Sequence, residues 1–215
     1  MCGWPSTSDP SCLIRGLRRQ PLLAVLRPSS IHQARRQLEQ LHQAGLCHAE
    51  LAVEASSAWV AMARELVADF PSLRLGAASV RSAPDLEAVL AAGLGYAVSP
   101  ILDRALLEQA SASAITLVPG VFSPTEIVTA VQWGAPAVKL YPAACLGPGY
   151  WRSLAGPLGP LPFCIAAGGI SAAAATDWYA AGLDAIALGG ALFNDDRLDP
   201  ALQQLVVNLR SKCYP

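Results

Sequence analysis

The stretch Trp133-Gly-Ala-Pro-Ala-Val-Lys-Leu-Tyr-Pro142 joins the end of a helix-like segment to a short apolar run. Three other stretches repeat this layout with an Ala-Gly pair, and their glycines are Gly45, Gly93 and Gly182. Together with Gly134, these glycines are spaced 48, 41 and 48 residues apart. Glycine just past a helix end takes the left-handed conformation, so each one marks a crossing from helix to strand. A spacing of roughly 40–50 residues fits two βα units per period.

Further apolar runs lie between these crossings and bring the number of predicted strands to eight. The additional runs are residues 21–27, 73–79, 114–119 and 162–167. Helical segments separate the strands at 31–44, 56–69, 83–92, 103–110, 123–132, 150–154, 171–181 and 200–210. Several of them begin with a capping serine, namely Ser30, Ser82, Ser123 and Ser171, and Ser123-Pro-Thr-Glu126 has the pattern of a capping box. Strict β/α alternation with eight repeats predicts an α/β fold, a (β/α)8 TIM barrel.

The chain is predicted to be a single domain with a short N-terminal helix. Residues 1–20 form an N-terminal segment whose helix, from Ser11 to Arg19, is placed to plug the floor of the barrel. Residues 21–215 form the barrel domain. A length of 215 residues suits one barrel, since α/β barrels of roughly 200–250 residues commonly fold as one unit.

Composition excludes several classes of function. The formal net charge is −1 and charged residues make up 14% of the chain, without the basic clusters that nucleic-acid binding requires. No apolar run reaches the roughly 18 residues of a membrane span, and the N-terminus lacks the layout of a secretory signal. The six cysteines contain no Cys-x-x-Cys pair, which is typical of reduced thiols rather than a metal site. We therefore expect a soluble, cytoplasmic protein with no membrane or nucleic-acid partner.

Lys139 is the first candidate for a catalytic side chain. The sequence has thirteen arginines and only two lysines, and Lys139 lies within an apolar run. Arginine keeps its proton in proteins, whereas burial can lower the pKa of a lysine until its amine is a nucleophile. The alternative is a lysine with a buried stem and a solvated head group. The surrounding sequence alone leaves both interpretations open.

The strand ends of a (β/α)8 barrel meet at one mouth, where active sites lie. We predict that Lys139 and Glu50 are catalytic, with Lys139 attacking a ketone to form an imine and Glu50 moving protons. The other strand-end residues are predicted to bind a substrate, and they are Arg27, Ser79, Pro100, Pro119, Tyr141, Gly168, Gly169, Gly189 and Gly190. The two Gly-Gly pairs would let backbone N–H groups approach a phosphate.

Each of these residues also has a structural interpretation. Glu50 could simply pair with Arg27, and the glycine pairs could serve only as tight βα turns. We assign no histidine a catalytic role and expect His48 on the outer side of its strand.

From about Pro21 to Asn194 the chain resembles the class I, Schiff-base aldolases that cleave 2-keto-3-deoxy-6-phosphogluconate or 4-hydroxy-2-oxoglutarate. The matching motifs occur in order and are 24–30 (AVLRPSS), 49–53 (AELAV), 76–80 (GAASV), 97–100 (AVSP), 117–126 (LVPGVFSPTE), 138–142 (VKLYP) and 167–170 (AGGI). The resemblance implies that Lys139 forms the imine and Glu50 is the proton shuttle, in a homotrimer without a metal or other cofactor.

The chain departs from the family pattern around the substrate. Ala52 replaces a threonine, and Glu54 stands where arginine or threonine is common. Ala167 and Ala191 lack hydroxyl groups that the family directs at phosphate. These changes affect the expected substrate rather than the imine chemistry.

The predicted function is a lyase that cleaves a 2-oxo acid to pyruvate and an aldehyde. One alternative is a catalytically impaired aldolase-like barrel that acts as a binding or scaffold protein. Another is a phosphate-binding barrel such as a thiamin-phosphate synthase, which leaves the lone barrel lysine unexplained. Release of pyruvate from phosphorylated or unphosphorylated 4-hydroxy-2-oxo acids would distinguish these possibilities.

Overall fold

The computed structural model describes residues 11–190 and 192–212. Nine parallel strand segments form one sheet that curves into a nearly closed barrel with helices between the strands, as the sequence predicts. The strands are β1 (Leu22–Leu26), β2 (His48–Ala52), β3 (Arg74–Ala78), β4 (Tyr96–Val98), β5 (Thr116–Val118), β6 (Gly120–Val121), β7 (Val138–Leu140), β8 (Cys164–Ala167) and β9 (Ala185–Leu188). The helices are α1 (Ser11–Arg19), α2 (Ile31–Gln43), α3 (Ser57–Asp69), α4 (Ala83–Ala92), α5 (Arg104–Ala112), α6 (Pro124–Gln132), α7 (Pro148–Leu158), α8 (Ala175–Ala180) and α9 (Pro200–Lys212).

The segments β5 and β6 are two halves of one barrel strand, interrupted at Pro119. β5 pairs with β4 on one side, while β6 pairs with β7 on the other, so the two ends of the sheet meet in this strand. Proline has no N–H to donate, which explains the break in the ladder. Its carbonyl oxygen still accepts a hydrogen bond from the Lys139 N–H at 2.8 Å. The barrel therefore has eight strands in the sense that the sequence predicts.

The predicted helix signals are largely confirmed. Ser30, Ser82 and Ser123 cap α2, α4 and α6, and the capping box between Ser123 and Glu126 is complete. The four crossing glycines all have positive φ, between 73° and 91°. The prediction for Ser171 is wrong, because α8 begins after Ala174, which has no side-chain cap. The Ser171 hydroxyl accepts instead from the Ala174 N–H at 3.3 Å, in the turn before the helix.

A small hairpin after β9 is absent from the predicted elements. Its strands, β10 (Phe193–Asn194) and β11 (Arg197–Leu198), pair antiparallel. The connecting residues Asp195 and Asp196 have φ values of 47° and 60°. The Gln40 side chain donates to the Asp196 carbonyl at 2.8 Å and accepts from the Leu198 N–H at 3.0 Å, which ties the hairpin to α2.

Helix α1 closes the floor of the barrel. Leu13 and Leu17 are fully buried and pack with inward-facing strand residues such as Leu23 and Ile165. The barrel is therefore a filled core, open for chemistry at the other end, where the strands finish. No helix in the described ranges has the length and apolar character that a membrane crossing would need. The division at residue 20 stays a prediction.

Candidate active site

Lys139 lies in the middle of β7 with its side chain inside the barrel. The residue is only 6% exposed. Burial lowers the pKa of its amine, the charge of Glu50 opposes this shift, and the charge of Arg27 adds to it. Its Nζ lies 4.8 Å from the centre of the Tyr141 ring, the next inward residue along the chain. The barrel thus shifts Lys139 towards the neutral amine, the form that can attack a carbonyl carbon.

Glu50 lies at the centre of β2 and is fully buried. Both carboxyl oxygens lie without a hydrogen-bond partner among the residues that the structure describes. Burial raises the pKa of Glu50 to about 7, although Lys139 and Arg27 act in the opposite direction. A carboxyl group with this pKa exchanges its proton readily near neutrality, as a general acid or base must.

Arg27 follows β1 and is directed to Ser79 rather than to Glu50. Its Nη2 donates to the Ser79 Oγ at 3.2 Å. Ser79 follows β3 and has a φ of 65°, a left-handed conformation that is uncommon for serine and often found at functional sites. A simple Glu50–Arg27 ion pair, one of the two interpretations left open by the sequence, is not formed. The exposed guanidinium remains available to an anion at the mouth.

Tyr96 forms the floor beneath these groups, which the sequence did not predict. Its ring is fully buried and occupies the space beside Gly76, where an added Cβ would lie 2.5 Å from the ring. Its hydroxyl donates to the Ala49 carbonyl at 3.3 Å. The nearby charge of Glu50 contributes to the raised pKa of Tyr96, after burial itself. The signal that could have located it is the pairing of one glycine and one large residue on adjacent strands.

The expectation that His48 faces outward is wrong. Side chains two residues apart on a strand share a face, so His48 faces the barrel interior together with Glu50. It is fully buried, and burial lowers its pKa to about 3, with the Arg74 charge adding to the shift. His48 is therefore neutral across the physiological range and lies on the floor side of Glu50.

The two predicted glycine pairs have different local structures. Gly168 and Gly169 have φ values of 91° and 79°, and the Gly168 carbonyl accepts from the Ala144 N–H at 3.1 Å. An added Cβ would lie 3.0 Å from the Tyr141 ring at Gly168 and 2.8 Å from the Ala144 Cβ at Gly169. This pair is thus a tight turn against the lysine strand. Neither Gly189 nor Gly190 has a left-handed φ, and both line an open cavity.

Two prolines lie on the wall of the mouth that β4, β5 and β6 form. Pro100 follows β4 and Pro119 separates β5 from β6. They are brought together at Gly120, where an added Cβ would lie 2.4 Å from the Pro100 carbonyl carbon. Glu54 is exposed beyond the end of β2. Ala191 lies outside the described residues.

A cavity of about 460 Å³ opens where β1 and β9 end. Its polar lining includes Arg27, Gln33, Gln37, Asp195 and Asp196. The sequence predicted only Arg27 and the adjoining glycines here. The glutamines follow a helical pattern that looks like an ordinary solvated face, and the aspartates lie in the hairpin that was not predicted.

Comparisons with known proteins show which family and fold this chain resembles. A family model described as KDPG and KHG aldolase matches residues 13–205. The 2-dehydro-3-deoxy-phosphogluconate aldolase of Pseudomonas aeruginosa is 31% identical over 169 residues, covering 78% of this chain and 74% of that protein.

Two solved structures show the same fold. KDPG aldolase from Legionella pneumophila, with pyruvate captured at low pH as a covalent carbinolamine intermediate, has a TM-score of 0.77 and 22% identity, covering 96% of this chain and 98% of its own. A cube-shaped, highly porous protein cage designed by fusing symmetric oligomeric domains has a TM-score of 0.77 and 25% identity, covering 90% of this chain and 72% of its own. Since the family model spans nearly the whole barrel, this chain belongs to the KDPG and KHG aldolase family of lyases.

Proposed function

We propose that this protein is a class I aldolase that cleaves a 4-hydroxy-2-oxo acid to pyruvate and an aldehyde through an imine on Lys139. The observation that carries the proposal is the buried amine of Lys139, with its lowered pKa, beside the buried and unbonded carboxyl group of Glu50. Family membership gives the reaction class. The pyruvate captured covalently in the Legionella pneumophila aldolase is consistent with the same chemistry.

The reaction begins when the neutral Lys139 amine attacks C2 of the substrate. Glu50 donates a proton to the resulting carbinolamine oxygen, and water leaves as the protonated imine forms. The ionised Glu50 then takes the proton of the C4 hydroxyl while the C3–C4 bond breaks. The bonding electrons move into the enamine, and the aldehyde departs. Glu50 returns the proton to C3, and water hydrolyses the imine to release pyruvate and free Lys139.

The remaining predicted residues would hold the substrate in place. Arg27, oriented by its hydrogen bond from Nη2 to Ser79, would bind the carboxylate next to the ketone. The Tyr141 ring, Pro100 and Pro119 would form the walls around the reacting carbons. The remaining contacts would come from the backbone at the glycine pairs, Gly168-Gly169 and Gly189-Gly190.

Borohydride trapping tests the imine directly, and the sequence provides a matched control. The protein incubated with pyruvate and borohydride should gain the mass of one reduced pyruvate adduct, located on Lys139. Lys139→Met should abolish both the adduct and pyruvate release. Lys212→Met, at the only other lysine in the sequence, should leave both intact. An adduct that persists in Lys139→Met, or turnover without one, would contradict the proposal.

We further propose that three copies of the chain assemble. Large apolar side chains are exposed near the ends of β4 and β6 and on α6, namely Ile101, Phe122, Val128 and Val131. Such a cluster is typical of a protein interface. The designed cage, which was made by fusing symmetric oligomeric domains, is consistent with self-association of this fold. A cytoplasmic location stays a prediction from composition.

A further inference from the structure

The cavity where β1 and β9 end adjoins the catalytic mouth. Val25, Arg27 and Gly189 line it, and all three continue the inward-facing rows of their strands. Arg27 also acts electrostatically on both Lys139 and Glu50, so it connects the cavity to the reacting groups. A substrate whose ketone reaches Lys139 can therefore extend its far end into this cavity.

The charges on the cavity wall do not suit a second anionic group. Arg27 is the only cation among the described residues that line the cavity, and the proposed mechanism assigns it to the substrate carboxylate. Asp195 and Asp196 also line the cavity. Hydrogen bonds from Gln33 and Arg36 lower the pKa of Asp196, which keeps it ionised at neutral pH. A phosphate group carries about −1.5 to −2 charges at pH 7, so Asp195 would repel it, while the ion pair with Arg36 offsets part of the charge of Asp196.

The uncharged polar groups of the cavity favour hydroxyl groups. Gln33 donates to Asp196 at 2.8 Å, and Gln37 lies next to it at 8% exposure. The side-chain oxygen of Gln37 is buried without a hydrogen-bond partner within the described ranges. A buried polar atom in this state is destabilising, and a nearby donor can relieve it. Hydroxyl groups both donate and accept, whereas a phosphate dianion only accepts.

We infer that the substrate is an unphosphorylated 2-oxo acid whose uncharged, polyhydroxylated tail occupies this cavity. The inference rests on the proposed aldolase function and names the substrate class of that site. Hydroxyl groups of the tail donate to Asp195 and to the oxygen of Gln37. The aldehyde product is accordingly a neutral polyhydroxy aldehyde.

The test compares 2-keto-3-deoxygluconate with its 6-phosphorylated form in a pyruvate-release assay. The unphosphorylated acid should have a kcat/KM at least roughly tenfold higher, since like charges close together in a partly buried site are strongly disfavoured. Asp195→Asn should raise kcat/KM for the phosphorylated acid severalfold, and Asp195→Lys should raise it further. Asparagine tolerates the left-handed backbone at this position, so the first variant also guards against misfolding.

Glu87→Gln is the matched control, because it removes one exposed negative charge from α4, which lies on the β3–β4 side of the barrel. It should leave the preference between the two acids unchanged. A wild-type preference for the phosphorylated acid, or the same response to the Asp195 and Glu87 variants, would overturn this inference and leave the aldolase function standing. Absence of both pyruvate release and a pyruvate adduct would overturn the proposed function and this inference together.

Discussion

At the scale of single residues, Glu50 makes the activity dependent on pH. Burial raises its pKa to about 7, and imine formation requires the protonated form, which gives its proton to the carbinolamine oxygen. We predict that kcat/KM falls as pH rises through about 7, because this parameter reports groups of the free enzyme, in which Glu50 must still hold its proton. Glu50→Gln should remove this pH dependence and lower kcat by roughly 10²–10⁴. An unchanged pH dependence of kcat/KM in that variant would rule out Glu50 as the titrating group.

The same shift determines the sign of a stability effect. The folded protein binds the Glu50 proton more tightly than the unfolded chain does, because the pKa is raised from 4.5 to about 7. The contribution of Glu50 to the free energy of unfolding is therefore present below pH 4.5 and lost as pH rises to about 7. Urea titrations should give a difference in the free energy of unfolding between wild type and Glu50→Gln that becomes smaller as the pH is lowered across this range.

Tyr96 helps to keep Glu50 dry. Replacing its fully buried ring by a smaller side chain would leave space for water beside the carboxyl group. We predict that Tyr96→Leu lowers the pKa of Glu50 and moves the midpoint of the kcat/KM profile down by on the order of one pH unit. Tyr96→Phe keeps the ring and loses only the hydrogen bond to Ala49, so its midpoint should match that of the wild type. Equal midpoints in all three proteins would show that the ring has no such role.

The sequence predicted Lys139 and Glu50 because each is an ionisable side chain within a largely apolar strand. It did not predict Tyr96, since a large side chain in an apolar strand looks the same whether it supports a site or merely fills a core. It also missed Gln37, whose helical spacing fits an ordinary solvated face. The direction of His48 was wrong, although its distance of two residues from Glu50 already determined it.

At the scale of elements, the strand interrupted at Pro119 depends on close backbone contact. An added Cβ at Gly120 would lie 2.4 Å from the Pro100 carbonyl carbon, and backbone cannot move aside as a side-chain tip can. We predict that Gly120→Ala destabilises the fold by about 1–3 kcal/mol and lowers kcat/KM, because Lys139 donates to the adjacent Pro119 carbonyl.

Gly149 offers a matched control for that substitution. It lies in α7 with ordinary φ, and an added Cβ would meet nothing within 4 Å. Gly149→Ala should be neutral or stabilise the protein by up to about 1 kcal/mol, because alanine has the higher helix propensity. Chemical denaturation would measure both variants, and equal stabilities would contradict the proposed backbone clash.

The regular elements were predictable because local rules act strongly in them. Gly93 ends α4 with a φ of 73°, and Ser123 caps α6, both as the sequence indicates. Pro119 was taken as the end of a strand, whereas the barrel resumes pairing at Gly120. The hairpin after β9 has strands of two residues, too short for any periodic pattern, and it depends on distant contacts with α2.

At the scale of the whole molecule, the number of strands in the sequence predicts a closed barrel. It does not predict which surface binds another copy of the chain. Only 14% of the residues are charged, so apolar patches remain after the core is filled. Val131 on α6 is 48% exposed within the proposed interface, and Val207 on α9 is 58% exposed outside it. The same substitution can therefore be made at one exposed valine inside the proposed interface and at another outside it.

We predict that Val131→Lys dissociates the trimer, because it places an unpaired charge in an interface that association would desolvate. Light scattering coupled to gel filtration should give three times the mass of one chain for the wild type and one chain mass for the variant at the same protein concentration. Val207→Lys adds the same charge at another exposed valine and should remain a trimer. A wild-type protein that elutes as a single chain, or two variants that behave alike, would remove α6 from the proposed interface.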